Sequence, residues 1–294
     1  MAEHKAGFVS IIGKPNVGKS TLMNALVGER ISIITSKAQT TRHRIMGILS
    51  GEDFQIVYSD TPGIIQPKYE LHSAMMHFVN LSLEDADVIL FVTDIHETFD
   101  ENDVLVKLEK TDAAILLLIN KIDVSNQEKV EAKIEEWKKR LPNIKEIIPV
   151  SALHKFNLEK VFSSILENLP FHPAYFPKDE LTDKPERFFV AEIIREKILE
   201  NYEQEVPYSC EVLCRSFKEL NNLIKISVEI LVEREGQKAI LIGTGGEMLK
   251  KVGTDARKDM EIFFDKKVFL EQVVKVAPDW RRDKTKLKRL GYIE

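Results

Sequence analysis

The sequence predicts an α/β domain with a mostly parallel sheet, followed by a smaller α+β unit. Three observations carry this. Residues 7–169 alternate apolar strand-like runs with amphipathic helical ones, the pattern of a sheet with crossover helices. Pro170, Pro173, Pro177 and Pro185 then punctuate 170–185, which excludes helix and central strand and reads as a semi-rigid linker. From Arg187 the order changes to helix, strand, strand, helix, helix, strand. The expected division is therefore 1–169, a linker over 170–186, and 187–294.

The first strand, 7–12, runs into Gly13-Lys14-Pro15-Asn16-Val17-Gly18-Lys19-Ser20 and then Thr21, which fits G-x-x-x-x-G-K-[ST]. The apolar run after it has helical character and stops at Gly28. A glycine-rich turn can bind nothing, but strand, loop and helix in this order form a phosphate cradle. The glycines let successive backbone N–H groups face one anion, and the helix N-terminus adds partial positive charge. In such a loop Lys19 reaches the β- and γ-phosphates and the Ser20 hydroxyl ligates Mg²⁺.

Further strands are expected at 45–50, 54–59, 88–93, 114–119 and 146–150, with a helix at about 70–83. The connection from Glu29 to Arg44 is long, polar and aperiodic, which suits a functional segment better than filler. Strand 54–59 ends in Asp60-Thr61-Pro62-Gly63. Alone this is a turn signal. Beside a phosphate loop, Asp60 is placed to hold Mg²⁺, through a water, and the Gly63 N–H to sense a γ-phosphate. Strand 114–119 ends in Asn120-Lys121-Ile122-Asp123, at the sheet end where ligands of open α/β sheets bind. The Asp123 carboxylate can accept from guanine N1–H and its N2 amino group, donors that adenine lacks, so this string points to GTP over ATP. Asn120 would brace neighbouring loops and the Lys121 stem would cover the ring face. Ser151-Ala152, after the last strand, could offer backbone N–H groups to guanine O6.

Bulk properties fit a globular protein with a real core: 294 residues, 44% hydrophobic and 30% charged. No apolar run approaches the about 18 residues of a membrane span, and residues 1–6 lack a signal-peptide core, which together read as cytoplasmic. Cys210 and Cys214 suit reduced thiols. The net charge of −5 is unevenly spread: residues 1–186 hold 21 Lys+Arg against 28 Asp+Glu, and 187–294 hold 21 against 19.

In the second unit, Gly243-Thr244-Gly245-Gly246 reads G-x-x-G and opens a helix carrying Lys250 and Lys251. A lone G-x-x-G is a turn. Within a helix–strand–strand–helix–helix–strand order it suits the KH module, whose loop clamps about four nucleotides of single-stranded RNA. Six of the ten residues Trp280–Arg289 are basic. A solvated face, RNA contact with Trp280 stacking on a base, and attraction to anionic lipid are the three readings, the last ranked lowest for want of an amphipathic face.

The motifs G-x-x-x-x-G-K-S, D-T-P-G, N-K-I-D and S-A occur in the order of the translation-factor-related GTPases. Within these, Lys37-Ala38-Gln39-Thr40-Thr41-Arg42-His43-Arg44 resembles the switch segment of the bacterial Era GTPases. In the second half 192–197, 206–209, 231–238 and 256–260 are similar to the same family. The resemblance spans about 7–293. It implies a P-loop GTPase domain joined to a type II KH domain, GTP or GDP with Mg²⁺ as ligands, binding near the 3′ end of small-subunit ribosomal RNA and a role in maturing that subunit. Peripheral contact with the inner membrane face also belongs to the family, and no obligate oligomer is indicated. One departure is Thr244-Gly245 where family loops often carry a lysine, which leaves phosphate contact to the backbone, Lys250 and Lys251.

Thr41 rather than Thr40 is expected to join the Mg²⁺ shell when a γ-phosphate is present. Ras-type GTPases place a water-orienting glutamine after D-x-x-G, and here Ile64 stands there, so slow intrinsic turnover is expected. In related GTPases an asparagine at the place of Asn16 helps hold K⁺ beside the phosphates; an asparagine that merely suits a tight turn is the competing reading. The expected catalytic set is Asn16, Lys19, Thr41 and Gly63. Two other functions compete: a GTPase switch working through protein or membrane partners in cell-cycle or stress control, and a structural RNA binder with a degenerate nucleotide site.

Overall fold

The computed structural model describes residues 4–97 and 103–293. Two compact units are present. The first is the chain as far as Asp183 without Ile33–Thr40 and Pro67–Ala74, and these two excursions belong with Lys184–Glu294 in the second.

The first unit is a six-stranded sheet in the order β2-β3-β1-β4-β5-β6. Its strands are β1 (Lys5–Ile12), β2 (Ile45–Ser50), β3 (Phe54–Asp60), β4 (Val88–Asp94), β5 (Ala114–Asn120) and β6 (Glu146–Pro149). Only the β2–β3 pair is antiparallel. Strands buried on both faces read as near-continuous apolar runs, and β4 and β5 are such runs, buried along nearly their whole length. Helices α1 (Lys19–Val27), α2 (Glu70–Glu84), α3 (Asp103–Glu109), α4 (Gln127–Arg140) and α5 (Leu158–Asn168) connect them. On one face Ile12, Phe91, Leu117 and Trp137 share a core, with the Phe91 and Trp137 rings edge to face at 5.3 Å. The parallel strands place Gly13, Asp60, Asp94, Asn120 and Val150 at one end of the sheet, where an open α/β fold binds its ligand.

The proline-rich stretch is laid along the first unit. Ile48 N–H donates to Leu181 O (2.8 Å) and Met46 N–H to Asp183 Oδ1 (2.9 Å), so the stretch covers the β2 edge. It also satisfies Gln55, a buried polar side chain of β3. The Gln55 Oε1 accepts from the Tyr175 and Phe176 N–H groups, and Gln55 Nε2 donates to Phe176 O.

The second unit contains α6 (Glu186–Asn201), α7 (Val206–Ser209), β7 (Glu211–Glu219), β8 (Leu223–Val232), α8 (Glu235–Ile242), α9 (Glu247–Phe264), β9 (Lys267–Val276) and α10 (Lys284–Arg289). Its sheet runs β7-β8-β9, with β8 antiparallel to β7 and parallel to β9. Period-two alternation buries Ile224, Ile226, Val228, Ile230 and Val232 of the central strand. They share a core with Ile194 and Ile198 of α6 and Val252, Ala256 and Met260 of α9.

The helices around the G-x-x-G loop correct the sequence reading. Two helices were expected after the loop; one precedes it and a single helix, α9, follows. No helix was expected between the second strand and the loop, yet Gln237 Oε1 accepts the Glu233 and Arg234 N–H groups and so caps α8. Gly253 suggests a break, but α9 passes straight through it. A Cβ there would come within 1.9 Å of Gln272 Nε2, so this glycine makes room for β9.

Candidate nucleotide site and nucleic-acid loop

The phosphate loop leaves β1 with Gly13 at φ +153° and Gly18 at +97°. A Cβ on Gly13 would stand 2.1 Å from Val92 O, and one on Gly18 2.3 Å from Asn120 Nδ2. Both conformation and space therefore demand glycine. No side chain caps the start of α1 and no acidic residue lies in its first turn, so its leading N–H groups and partial charge are available to an anion. The Lys19 Nζ folds back onto the loop, donating to Gly13 O (3.1 Å) and Lys14 O (2.8 Å). Burial lowers its pKa to about 8, against the pull of Asp60 and Glu97.

Beside the loop, three oxygens meet. The Ser20 hydroxyl donates to Asp60 Oδ2 (2.7 Å) and lies 3.0 Å from Thr41 Oγ1, which is itself 3.3 Å from Asp60 Oδ2. Asp60 is fully buried, and its Oδ1 has no hydrogen-bond partner among the described residues. Burial raises its pKa, opposed by the Ser20 hydroxyl and the Lys19 charge. Two hydroxyls and a carboxylate with a buried, unpartnered oxygen suit a hard divalent cation such as Mg²⁺. The structure separates the two threonines: the Thr40 hydroxyl donates to Lys37 O (2.6 Å) and pairs with Thr35 Oγ1 (2.7 Å). Gly63 lies against the loop, where a Cβ would fall 2.7 Å from Pro15 N, and the Ile64 N–H donates to Gly13 O (3.0 Å). The Ile64 side chain is buried in the core with Ile12 and Phe91.

At the other end, Asn120 ties the loops together. Its Nδ2 donates to Val17 O (2.7 Å) and its Oδ1 accepts the Ala152 N–H (3.0 Å). Lys121, in a left-handed conformation, lays its ammonium on Asn16 O (2.6 Å) and Asp94 Oδ2 (2.9 Å). The Ser151 hydroxyl donates to Asp123 Oδ1 (2.5 Å) and so aims its carboxylate. This changes the part expected of the Ser151–Ala152 turn. Its two N–H groups are engaged, Ser151 with Phe156 O and Ala152 with Asn120, so the turn orients Asp123 and Asn120 instead of presenting free donors. Sequence reasoning missed Asp94 and Glu97. Glu97 Oε2 accepts from Thr93, and its Oε1 stands 3.5 Å from Lys14 Nζ. Asp94 ends β4, and the strand-end rule that selected Asp60 and Asn120 applies to it equally.

In the second unit, Gly243, Gly245 and Gly246 have φ of 73°, 60° and 79°. Open space surrounds Gly245 and Gly246, so conformation rather than crowding requires glycine there. Thr244 is exposed, as are Lys250 and Lys251 on the first turns of α9. Trp280 departs from expectation. It is fully buried, its Nε1 donating to Ser209 O (2.9 Å), so it has no face to offer a base. Arg281 is likewise occupied, ion-paired with Glu233.

Residues 8–121 match the family described as 50S ribosome-binding GTPase, and 205–281 match the KH domain. The chain is 42% identical over 297 residues to GTPase Era of Staphylococcus haemolyticus, covering 100% of this chain and 99% of that one. The chain belongs to the Era family of GTPases. It is also 43% identical to the chloroplastic Era GTPase ERA1 of Zea mays, covering 99% of this chain and 71% of the relative. Among solved structures, Era in complex with MgGDPNP and nucleotides 1506–1542 of 16S ribosomal RNA is 40% identical with a TM-score of 0.94, covering 99% of this chain and 100% of that one. A single-residue variant of Aquifex aeolicus Era bound to GDP and AlF4⁻ is 41% identical with the same TM-score and coverage. As in the Era family, a GTPase fold with a mostly parallel sheet precedes a KH fold with a mixed sheet, and the chain is a GTP-hydrolysing enzyme. No described helix is long and apolar enough to cross a membrane.

Proposed function

We propose that this chain is a GTP-driven switch that binds RNA near the 3′ end of small-subunit ribosomal RNA and acts in assembly of that subunit, in the cytoplasm. The observation that carries the switch is the meeting of Thr41 with Ser20 and Asp60: a residue of the long polar connection reaches the metal corner. The RNA reading is supported by the left-handed glycines of 243–246, the exposed lysines behind them and the RNA-bound relative. In this reading 1–169 holds the nucleotide, 187–294 holds RNA and 170–186 joins them.

Phosphoryl transfer asks for positioning and charge neutralisation. Lys19, the loop amides and the α1 N-terminus bind and orient the phosphates. Mg²⁺, when bound, neutralises charge on the β- and γ-phosphates, and Ser20, Thr41 and Asp60 are the residues that would hold it. Asp123, aimed by Ser151, selects guanine, while Asn120 and Lys121 hold the phosphate and base ends in register. Ile64 cannot orient a water, so intrinsic turnover is slow.

Fluorescence titration tests the reading. A labelled single-stranded oligonucleotide from the 3′ end of small-subunit ribosomal RNA, and a scrambled control, are titrated into protein loaded with GDP or a non-hydrolysable GTP analogue. Tighter, sequence-dependent binding with the analogue is expected. Weak binding indifferent to sequence and nucleotide would overturn the RNA assignment and leave the GTPase.

A further inference from the structure

Two charged side chains beside the phosphate loop take no part in the mechanism above. Glu97 closes the turn that follows β4, its N–H donating to Asp94 O (3.2 Å) and its carbonyl accepting the Lys133 ammonium of α4 (2.6 Å). Its side chain is 9% exposed. Oε2 accepts the Thr93 hydroxyl (2.9 Å), and Oε1 faces the Lys14 ammonium at 3.5 Å, longer than a full hydrogen bond. Lys14 is the second residue of the loop 13–20.

A carboxylate held this way is costly to bury. Burial pushes its pKa up, opposed by the Thr93 hydroxyl and the Lys14 charge. The turn itself is held by the Glu97 backbone, so a neutral side chain could close it equally well. What the charge adds is its field. Asp60 and Glu97 are the two carboxylates whose attraction opposes the loss of the Lys19 proton on burial. A carboxylate that stabilises a cation at one point destabilises an anion held at that point. Mg²⁺, when bound, would offset Asp60. Among the described residues, the charge that offsets the Glu97 carboxylate is Lys14.

We propose that Glu97 sets the lifetime of the bound nucleotide: its buried charge repels the phosphates held by Lys19 and the loop amides, and Lys14 tempers that repulsion. This rests on the reading that the loop 13–20 holds the phosphates. Every group involved belongs to the first unit. Glu97 acts through its field, so it shortens the stay of GDP and of GTP without contact to either.

The test uses the full chain with Mg²⁺ in excess at pH 7.5. A fluorescent GDP is titrated for Kd and chased with unlabelled GDP for koff. Glu97→Gln keeps the size of the side chain and an acceptor for Thr93. It is expected to slow GDP release and tighten GDP by about tenfold, the equivalent of one pKa unit. A non-hydrolysable GTP analogue should tighten at least as much, because it carries more negative charge. Lys14→Met removes the offset, so GDP release should quicken by about tenfold at pH 7.5 and slow again toward pH 5.5, where Glu97 takes a proton. The other charges facing Glu97 are Asp94 on its own turn, Lys133 from α4 and Lys19 from α1. The same pH series in the double variant subtracts their share and that of the phosphates. At pH 7.5 the double variant should return koff to within about threefold of the unaltered chain, since one charge of each sign is gone. Weaker GDP binding in Glu97→Gln, or a double variant worse than either single one, would overturn the proposal and make Glu97 a strut of the loop. Lys19→Met separates this from the reading beneath it. If that change leaves GDP affinity unaltered, the loop does not hold the phosphates and the proposal falls with it. If it loses GDP while Glu97→Gln gains none, the field alone fails. Should Glu97→Gln melt early, Lys14→Met still decides, because a structural loss would not recover at pH 5.5.

Discussion

A methyl group on Gly18 would lie 2.3 Å from the amide nitrogen of Asn120. The phosphate loop and the base-recognition loop thus touch through a glycine with no room to spare, and Asn120 completes the contact by donating to Val17 O. Gly18→Ala should therefore damage both ends of the nucleotide site. It forces an L-residue into φ +97° and pushes Asn120 off Val17. GDP and GTP affinities are expected to fall together by about a hundredfold or more, the scale of a site displaced by an ångström. Isothermal titration with both nucleotides checks this; loss for one alone would contradict the shared contact.

Lys19 gives nucleotide binding a pH limit. Its pKa in the free protein is lowered to about 8, chiefly by burial. On the proposed reading the protonated form binds phosphate, so affinity for GDP should be flat below about pH 8. Above it, affinity should fall about tenfold per unit until the pKa of the bound state, raised by the phosphates, is reached. The ligand-free fold should show the opposite trend. The unfolded lysine, with the ordinary value of 10.5, keeps a proton that the fold has given up, so stability gains from this group between about pH 8 and 10.5. GDP titrations from pH 7 to 9.5, repeated with Lys19→Met, separate this group from the rest: the variant should bind weakly with no break near pH 8.

On the proposed reading, Asp123 decides the base. Its carboxylate, aimed by the Ser151 hydroxyl at 2.5 Å, can accept two donors from guanine. Asp123→Asn replaces one acceptor with a donor, which suits a purine carrying oxygen at position 2. GTP binding is expected to weaken by about a hundredfold or more while XTP binding improves, since unpaired buried polar groups dominate such discrimination. Competition against a fluorescent nucleotide measures both.

How much of this was legible before the fold was known depended on the range of the signal. Each strand of the first unit is a short apolar run, and the phosphate loop is a contiguous string, so period and motif suffice for both. The anchors Asp94 and Glu97 carry no string at all. Gly253 misleads through its local propensity. Local propensity counts a glycine as a stop, whereas α9 keeps Gly253 to accommodate Gln272, a residue 19 positions away. Trp280 shows the same limit: its basic neighbours suggest a surface, while the ring is held inside by Ser209 O.

Gly246→Asp separates the two activities. The position has open space around its Cα, so the fold suffers only the strain of φ +79°, about 1–2 kcal/mol. On the proposed reading, a carboxylate there would face the nucleic-acid backbone at the loop that opens α9. RNA affinity is expected to fall at least tenfold while GTP affinity stays within about twofold, as read by filter binding of the 3′ oligonucleotide and nucleotide titration of one preparation. Unchanged RNA binding would move the RNA surface away from 243–246.

The two readings of Asn16 are separable by the cation. Its φ of +64° gives it a conformational reason to be asparagine, since this residue tolerates the left-handed region. Its backbone carbonyl is used by the Lys121 ammonium, which leaves the exposed side chain for a ligand beside the phosphates. If that side chain helps hold K⁺, the ion supplies positive charge near the phosphates. Turnover should then be about tenfold or more faster in K⁺ than in Na⁺ at one ionic strength, on the lower scale of an added transition-state charge. Asn16→Asp should alter the cation preference, whereas Asn16→Gly, which keeps the turn and removes the side chain, should abolish it. Equal rates in the two salts for the unaltered chain would assign Asn16 to the turn alone.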